Sequence, residues 1–197
     1  MTPEQSLKRQ FEEFRAFRRA LSEESDRGCA LFAAAYLDKA ISDLLFLSLV
    51  ESKKVEEELF EGTAPLASFS ARIKLAFYLG RISAECRADL DAIRKIRNDF
   101  AHDAALISFE PQSIAARCRN LGFSYQRKDA RPRAHFTAAA AGILAKVHGA
   151  SLQSIAPKQK PDDRPSENEK EAARQRAEAS ANELKASLRP REEKLDA

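Results

Sequence analysis

Apolar positions recur along the chain at three- and four-residue spacing and show no strict alternation, so the pattern predicts helices and no strands. Thr2, Pro3 and Gln5 read as a cap, a first-turn proline and an N3 amide. Leu7, Phe11, Phe14, Phe17 and Leu21 then form the apolar stripe of an amphipathic helix with a charged outer face. From Gly28 to Val50 apolar residues wrap most of the circumference, interrupted by Asp38, Lys39 and Asp43, which places that helix at the centre of a bundle. A short charged helix near 55–61 stops at Gly62, and Thr63-Ala64-Pro65 makes a turn. Ser68 or Ser70 caps a helix lined on one side by Phe69, Ile73, Ala76, Phe77 and Gly80. Gly80-Arg81-Ile82 breaks it, and Ser83 caps a long helix reaching about His102. Pro111 starts another that ends at Gly122, and Phe136 to about Ile155 forms a last, alanine-rich one. The expected fold is an all-α bundle of six to seven helices over residues 1–157.

The pattern stops there because residues 158–197 carry 10 basic and 10 acidic residues, with Leu184, Leu188 and Leu195 as the only large apolar ones. Such a segment buries too little surface to offset the entropy of ordering, so a disordered tail is expected, with a solvated helix over 167–188 as the other reading. The formal charge of the whole chain is only +3, which does not by itself argue for nucleic acid. The longest uncharged stretch of the most apolar region, Gly28 to Leu37, is ten residues, short of the roughly 20 that cross a membrane. Met1-Thr2-Pro3-Glu4-Gln5 lacks a secretory pattern, so a cytoplasmic protein is expected. Cys29, Cys86 and Cys118 sit apart among apolar residues and read as reduced core thiols. His102, His135 and His148 are equally scattered, so neither a metal nor a cofactor is expected, and six glycines with no G-x-G pair exclude the phosphate-loop fingerprints.

Two features carry candidate chemistry. Between Gln112 and His135 lie Arg117, Arg119, Arg127, Lys128, Arg131 and Arg133 against Asp129 alone, with Phe123 and Tyr125 among them. A basic loop with interleaved aromatics suits a single-stranded nucleic acid, since phosphates meet cations and bases stack on rings. A solvated surface loop is the alternative. The second feature is the run from Arg94 to Asp103. Leu90, Ile93, Phe100 and Ala101 mark its apolar stripe, and Arg97 falls on that stripe, so the fold must supply a carboxylate, carbonyls or a subunit cleft to meet its guanidinium. Asn98 and His102 stand four apart near Arg94, making Arg94, Arg97, Asn98, Asp99, His102 and Asp103 a candidate functional motif. A structural cluster in which Asp99 or Asp103 pairs with Arg97 is the plainer reading.

The stretches Glu61-Gly62-Thr63-Ala64-Pro65-Leu66, Phe69 to Ala76, Leu79-Gly80-Arg81-Ile82-Ser83 and Leu90 to Asp103 resemble the mannitol operon repressor family of bacterial regulators. The resemblance spans about Cys29 to Leu121. It implies an all-helical fold and repression of genes for uptake and use of a sugar alcohol, partly through other proteins and without a recognisable DNA-reading motif. Arg97-Asn98-x3-His102 is also similar to the motif of HEPN-type helical nucleases. That likeness implies a metal-independent ribonuclease site at a subunit interface, with His102 moving the proton of the ribose 2′-hydroxyl and Arg97 holding the phosphate.

The helix pair around Gly80 has the outline of a helix-turn-helix. Its would-be reading turn, Ala84 to Asp91, holds Glu85, Asp89 and Asp91 against Arg87, an unfavourable charge for a phosphate-lined groove. The leading expectation is therefore a regulatory homodimer acting through protein partners, with nucleic acid possible at residues 112–135. A HEPN-like endoribonuclease is the alternative.

Overall fold

A computed structural model of the chain describes residues 3–52, 54–102, 108–161 and 163–187. It divides after Lys158 into two units. Among the described residues the first holds seven helices: α1 (Pro3–Glu23), α2 (Asp26–Phe46), α3 (Val55–Leu59), α4 (Phe69–Tyr78), α5 (Ala84–His102), α6 (Gln112–Arg119) and α7 (Pro132–Leu152). No strand occurs among the described residues. Thr2 and Asp103 lie outside them.

Helix α2 is the axis of the bundle and touches α1, α4, α5 and α7. This follows from the apolar residues that wrap most of its circumference: Cys29, Ala33, Leu37, Ile41 and Leu44 are all fully buried, and only a narrow strip with the exposed Lys39–Asp43 pair meets solvent. Small residues on α2 and on the alanine-rich α7 let these two helices pack closely, and Ala139 and Ala140 are as inaccessible as Ile143 and Leu144. Aromatic rings close the seams. Phe17 of α1 meets Tyr36 and Phe32 of α2 at 4.7 and 5.9 Å between centroids, and Phe46 stacks on Phe60 at 4.3 Å. Phe109 bridges Phe100 of α5 and Phe136 of α7 at 4.8 and 5.0 Å.

The turns form as the punctuation predicts. Gly62 and Gly80 take φ of 55° and 67°, the left-handed region where glycine carries no side-chain penalty. Ser68 Oγ accepts from the Ala71 amide, and Ser83 Oγ accepts from the Cys86 amide, each at 3.2 Å. Three details differ from expectation. Helix α7 begins at Pro132, not Phe136, because proline suits the first helical position. Ala101 is exposed, so the buried stripe of α5 runs through Cys86, Leu90, Ile93, Ile96 and Phe100 with Arg97 at its margin. Phe11, assigned to the core stripe of α1, is 61% exposed.

The three cysteines are free and buried. Burial pushes their thiols up to about 11 for Cys29 and about 12 for Cys86 and Cys118. In the second unit α8 (Glu167–Ser187) is helical with no buried residue. Good helix formers and the pairs Lys170–Glu167 and Arg174–Glu171 support it in place of a core.

Candidate functional site

Helix α5 presents the motif side chains. Arg97 is half-buried, and Asp38 of α2 feels the fields of both Arg72 and Arg97. Arg72 of α4 donates to Asp38 Oδ1 at 2.6 Å and to the Leu66 and Ala67 carbonyls at 2.7 and 3.0 Å, with its guanidinium 5.8 Å from the Phe60 ring centroid. Burial raises the Asp38 carboxyl above the usual range, and Arg72 and Arg97 oppose that rise. Arg94 pairs with Asp91 at 3.4 Å, one turn back on the same helix. Asp99 turns away from Arg97 and binds Arg117 of α6. Asn98 is half-buried, and His102 is exposed on the last turn.

The basic segment divides by what its cations touch. Arg133 is an internal clamp: it donates to Asp26 Oδ1 at 2.7 Å, to the Leu21 carbonyl at 3.0 Å and to the Glu24 carbonyl. The same Asp26 accepts from the Phe109 amide at 3.2 Å, so one carboxylate ties the α1–α2 corner to the start of α7. Arg117 is held by Asp99. Arg119, Arg127, Lys128 and Arg131 are exposed, and Arg127 lies 3.4 Å from Asp129. The geometry thus leaves four of the six cations facing solvent.

Sequence reasoning missed what holds this loop. Asp89, buried on α5, accepts from the Gly122 amide at 3.1 Å and the Phe123 amide at 2.8 Å. The same side chain that spoils the helix-turn-helix electrostatically is an anchor across 33 residues of sequence. Behind the loop, a side chain at Gly142 would lie 2.9 Å from the Phe123 carbonyl oxygen, so only glycine admits this approach to α7. Buried His135 meets Ser124 Oγ through Nδ1 at 3.0 Å.

Among the described residues no three His, Cys, Asp or Glu side chains are placed to hold a metal ion, and no helix is long and apolar enough to cross a membrane. Fold and polar clusters together define an all-α bundle protein with a continuous core, whose surface is divided between charges already paired and charges left open. The chain belongs to the mannitol repressor family, whose model matches residues 22–156. Among solved structures it is similar to the MtlR–HPr complex from Escherichia coli. The match has a TM-score of 0.59 at 19% identity and covers 68% of this chain and 96% of that one. No curated protein matches it.

Proposed function

We propose that this chain is a cytoplasmic regulatory module of the mannitol repressor kind that acts as a homodimer through a partner protein, not through a DNA-reading helix of its own. The family match over residues 22–156 carries the reading. The partner is proposed to be an HPr-like protein, since the related Escherichia coli protein is found in a complex with HPr. The helix pair around Gly80 supports the second half of the reading: Asp89 is committed to the Gly122 and Phe123 amides, and its helix turn adds carboxylates where DNA phosphates would lie. The test is light scattering on the purified full chain, alone and with HPr from the same organism, beside a gel shift on duplex promoter DNA. A dimer that co-elutes with HPr and leaves the duplex unshifted is expected. A monomer that ignores HPr, or sequence-specific capture of the duplex by the chain alone, refutes it.

The exposure of His102 on the last turn of α5, one turn from Asn98, favours a second reading, a metal-independent endoribonuclease using Arg97, Asn98 and His102. Its test is incubation with mixed RNA in EDTA beside His102→Ala. Cleavage that leaves cyclic phosphate ends and disappears in the variant supports the nuclease; intact RNA at high protein concentration excludes it.

A further inference from the structure

The exposed Phe11 is part of a longer surface. With Phe14, Arg15, Arg18 and Arg19 it lines a groove of about 410 Å³ on α1. Phe14 and Arg18 also line a second groove of about 400 Å³, closed on its other side by Tyr125, Gln126 and α7. Tyr125, 81% exposed, in turn borders a third of about 530 Å³ together with Phe123, Arg81 and Lys146. Shared walls join the three into one track.

Charge along the track is one-sided. Arg15, Arg18, Arg19, Arg81 and Lys146 stand against the single carboxylate of Glu85. The side chains of these five cations have no partner among the described residues, and the buried Nε of Arg81 is unmet as well. Exposed Lys128 and Arg131 follow Tyr125 in the adjoining loop. The track is also preformed. Asp89 holds the Gly122 and Phe123 amides, and Gly142 lets the loop lie flat on α7 with Tyr125 beside it.

We propose that this track binds single-stranded nucleic acid. Open cations neutralise phosphates, and exposed rings give unpaired bases a stacking surface that a duplex, with its bases already stacked, does not use. An acidic polypeptide would satisfy the cations and leave Phe11 and Tyr125 without a role. The surface extends well beyond residues 112–135, since α1, Arg81 and Lys146 supply most of its charge.

The test is fluorescence anisotropy of the full chain with labelled oligouridylate and oligothymidylate of about 20 nucleotides, a matching duplex, and polyglutamate as competitor. Both single strands are expected to bind, with affinity falling as salt rises, and preference for one identifies the strand as RNA or DNA. Tyr125→Ala should weaken binding roughly tenfold through lost stacking. The combined Arg15→Glu, Arg18→Glu, Arg19→Glu variant should weaken it by at least about tenfold and flatten the salt dependence. Lys74→Glu, an exposed change outside the three grooves, should leave it unchanged, and melting curves check that each variant is folded. No binding of either strand, equal binding of the duplex, displacement by polyglutamate at equal charge, or an unaffected triple variant overturns the proposal. A chain that binds HPr and ignores oligonucleotides loses this inference alone.

Discussion

Replacing Asp89 by alanine removes a buried carboxylate that accepts from two backbone amides of a loop 33 and 34 residues away. Hydrogen bonds to a charged acceptor contribute about 1.5–3 kcal/mol each. Water can replace part of the bond at Gly122, which is exposed, and less at Phe123, which is half-buried. The expected loss is about 2–4 kcal/mol, a large part of the roughly 5–15 kcal/mol that stabilises a domain. For a chain of this size it lowers Tm by about 5–15 °C. Asp89→Asn keeps one acceptor oxygen but turns an NH2 group toward the other amide, so it should cost about 1–2 kcal/mol. Urea unfolding followed by far-ultraviolet circular dichroism measures both, and an unchanged m-value shows that the same surface is exposed in each variant. A midpoint for Asp89→Ala within error of the parent would show that the loop is held by its apolar contacts alone. The carboxylate would then have no anchoring role.

Four further outcomes follow from the same physics. Arg133→Lys should destabilise by about 1–3 kcal/mol in urea, because an ammonium cannot span Asp26, Leu21 and Glu24 as the planar fork does; wild-type stability would show the clamp to be idle. Gly142→Ala gains helix propensity but drives a methyl to 2.9 Å from a backbone oxygen, so a net loss of about 1–2 kcal/mol is expected by thermal melting, and a stabilised variant would show that the loop moves freely. Asp38→Asn should cost less than Arg72→Ala, because burial already disfavours the Asp38 charge while Arg72 loses three bonds at once; the reverse order in paired urea titrations would refute this. His148 is held below the ordinary imidazole range by burial, with Glu13 and Asp43 opposing. The folded state therefore binds fewer protons than the unfolded chain, and this contribution to stability is full above the unfolded pKa and lost as pH falls through the window below it. Urea midpoints from pH 7.5 to 5 should decline less steeply in His148→Gln, and parallel slopes would show that this imidazole does not titrate on unfolding.

What the chain reveals in one dimension is which face of each helix is apolar, where helices start and where they stop. Ser68, Ser83, Gly62 and Gly80 hold their expected places because caps and left-handed turns are decided within a few residues. The central position of α2 is equally legible, since a helix that is apolar around most of its circumference must be packed on most sides. Coverage is not legible. Phe11 continues the stripe of Phe14, Phe17 and Leu21, and only the packed bundle shows that it stays 61% exposed among the described residues. Partner choice across distance is not legible either. Spacing asks for a carboxylate, carbonyls or a subunit cleft to meet Arg97 and suggests Asp99 or Asp103, whereas Asp99 binds Arg117 of α6. Arg133 reads as part of a basic loop because its neighbours in sequence are basic. It belongs to the first turn of α7, where Asp26 and two carbonyls use its charge internally.

The same distinction separates the two candidate surfaces. Arg94 of the motif helix pairs with Asp91, and Arg117 pairs with Asp99, so an incoming phosphate would compete there with carboxylates already in place. Each such exchange trades one ion pair for another and leaves a carboxylate without its cation, which costs more than the new contact returns wherever the pair is partly buried. Arg15, Arg18, Arg19, Arg81 and Lys146 carry no such debt, for their side chains are unpartnered among the described residues. An anion reaching them displaces only water and counterions, and the release of those counterions drives binding. Exposed rings on the same track add stacking that α5 does not offer. Electrostatics therefore favour the proposed track on α1 and the Tyr125 loop as the surface for an anionic polymer.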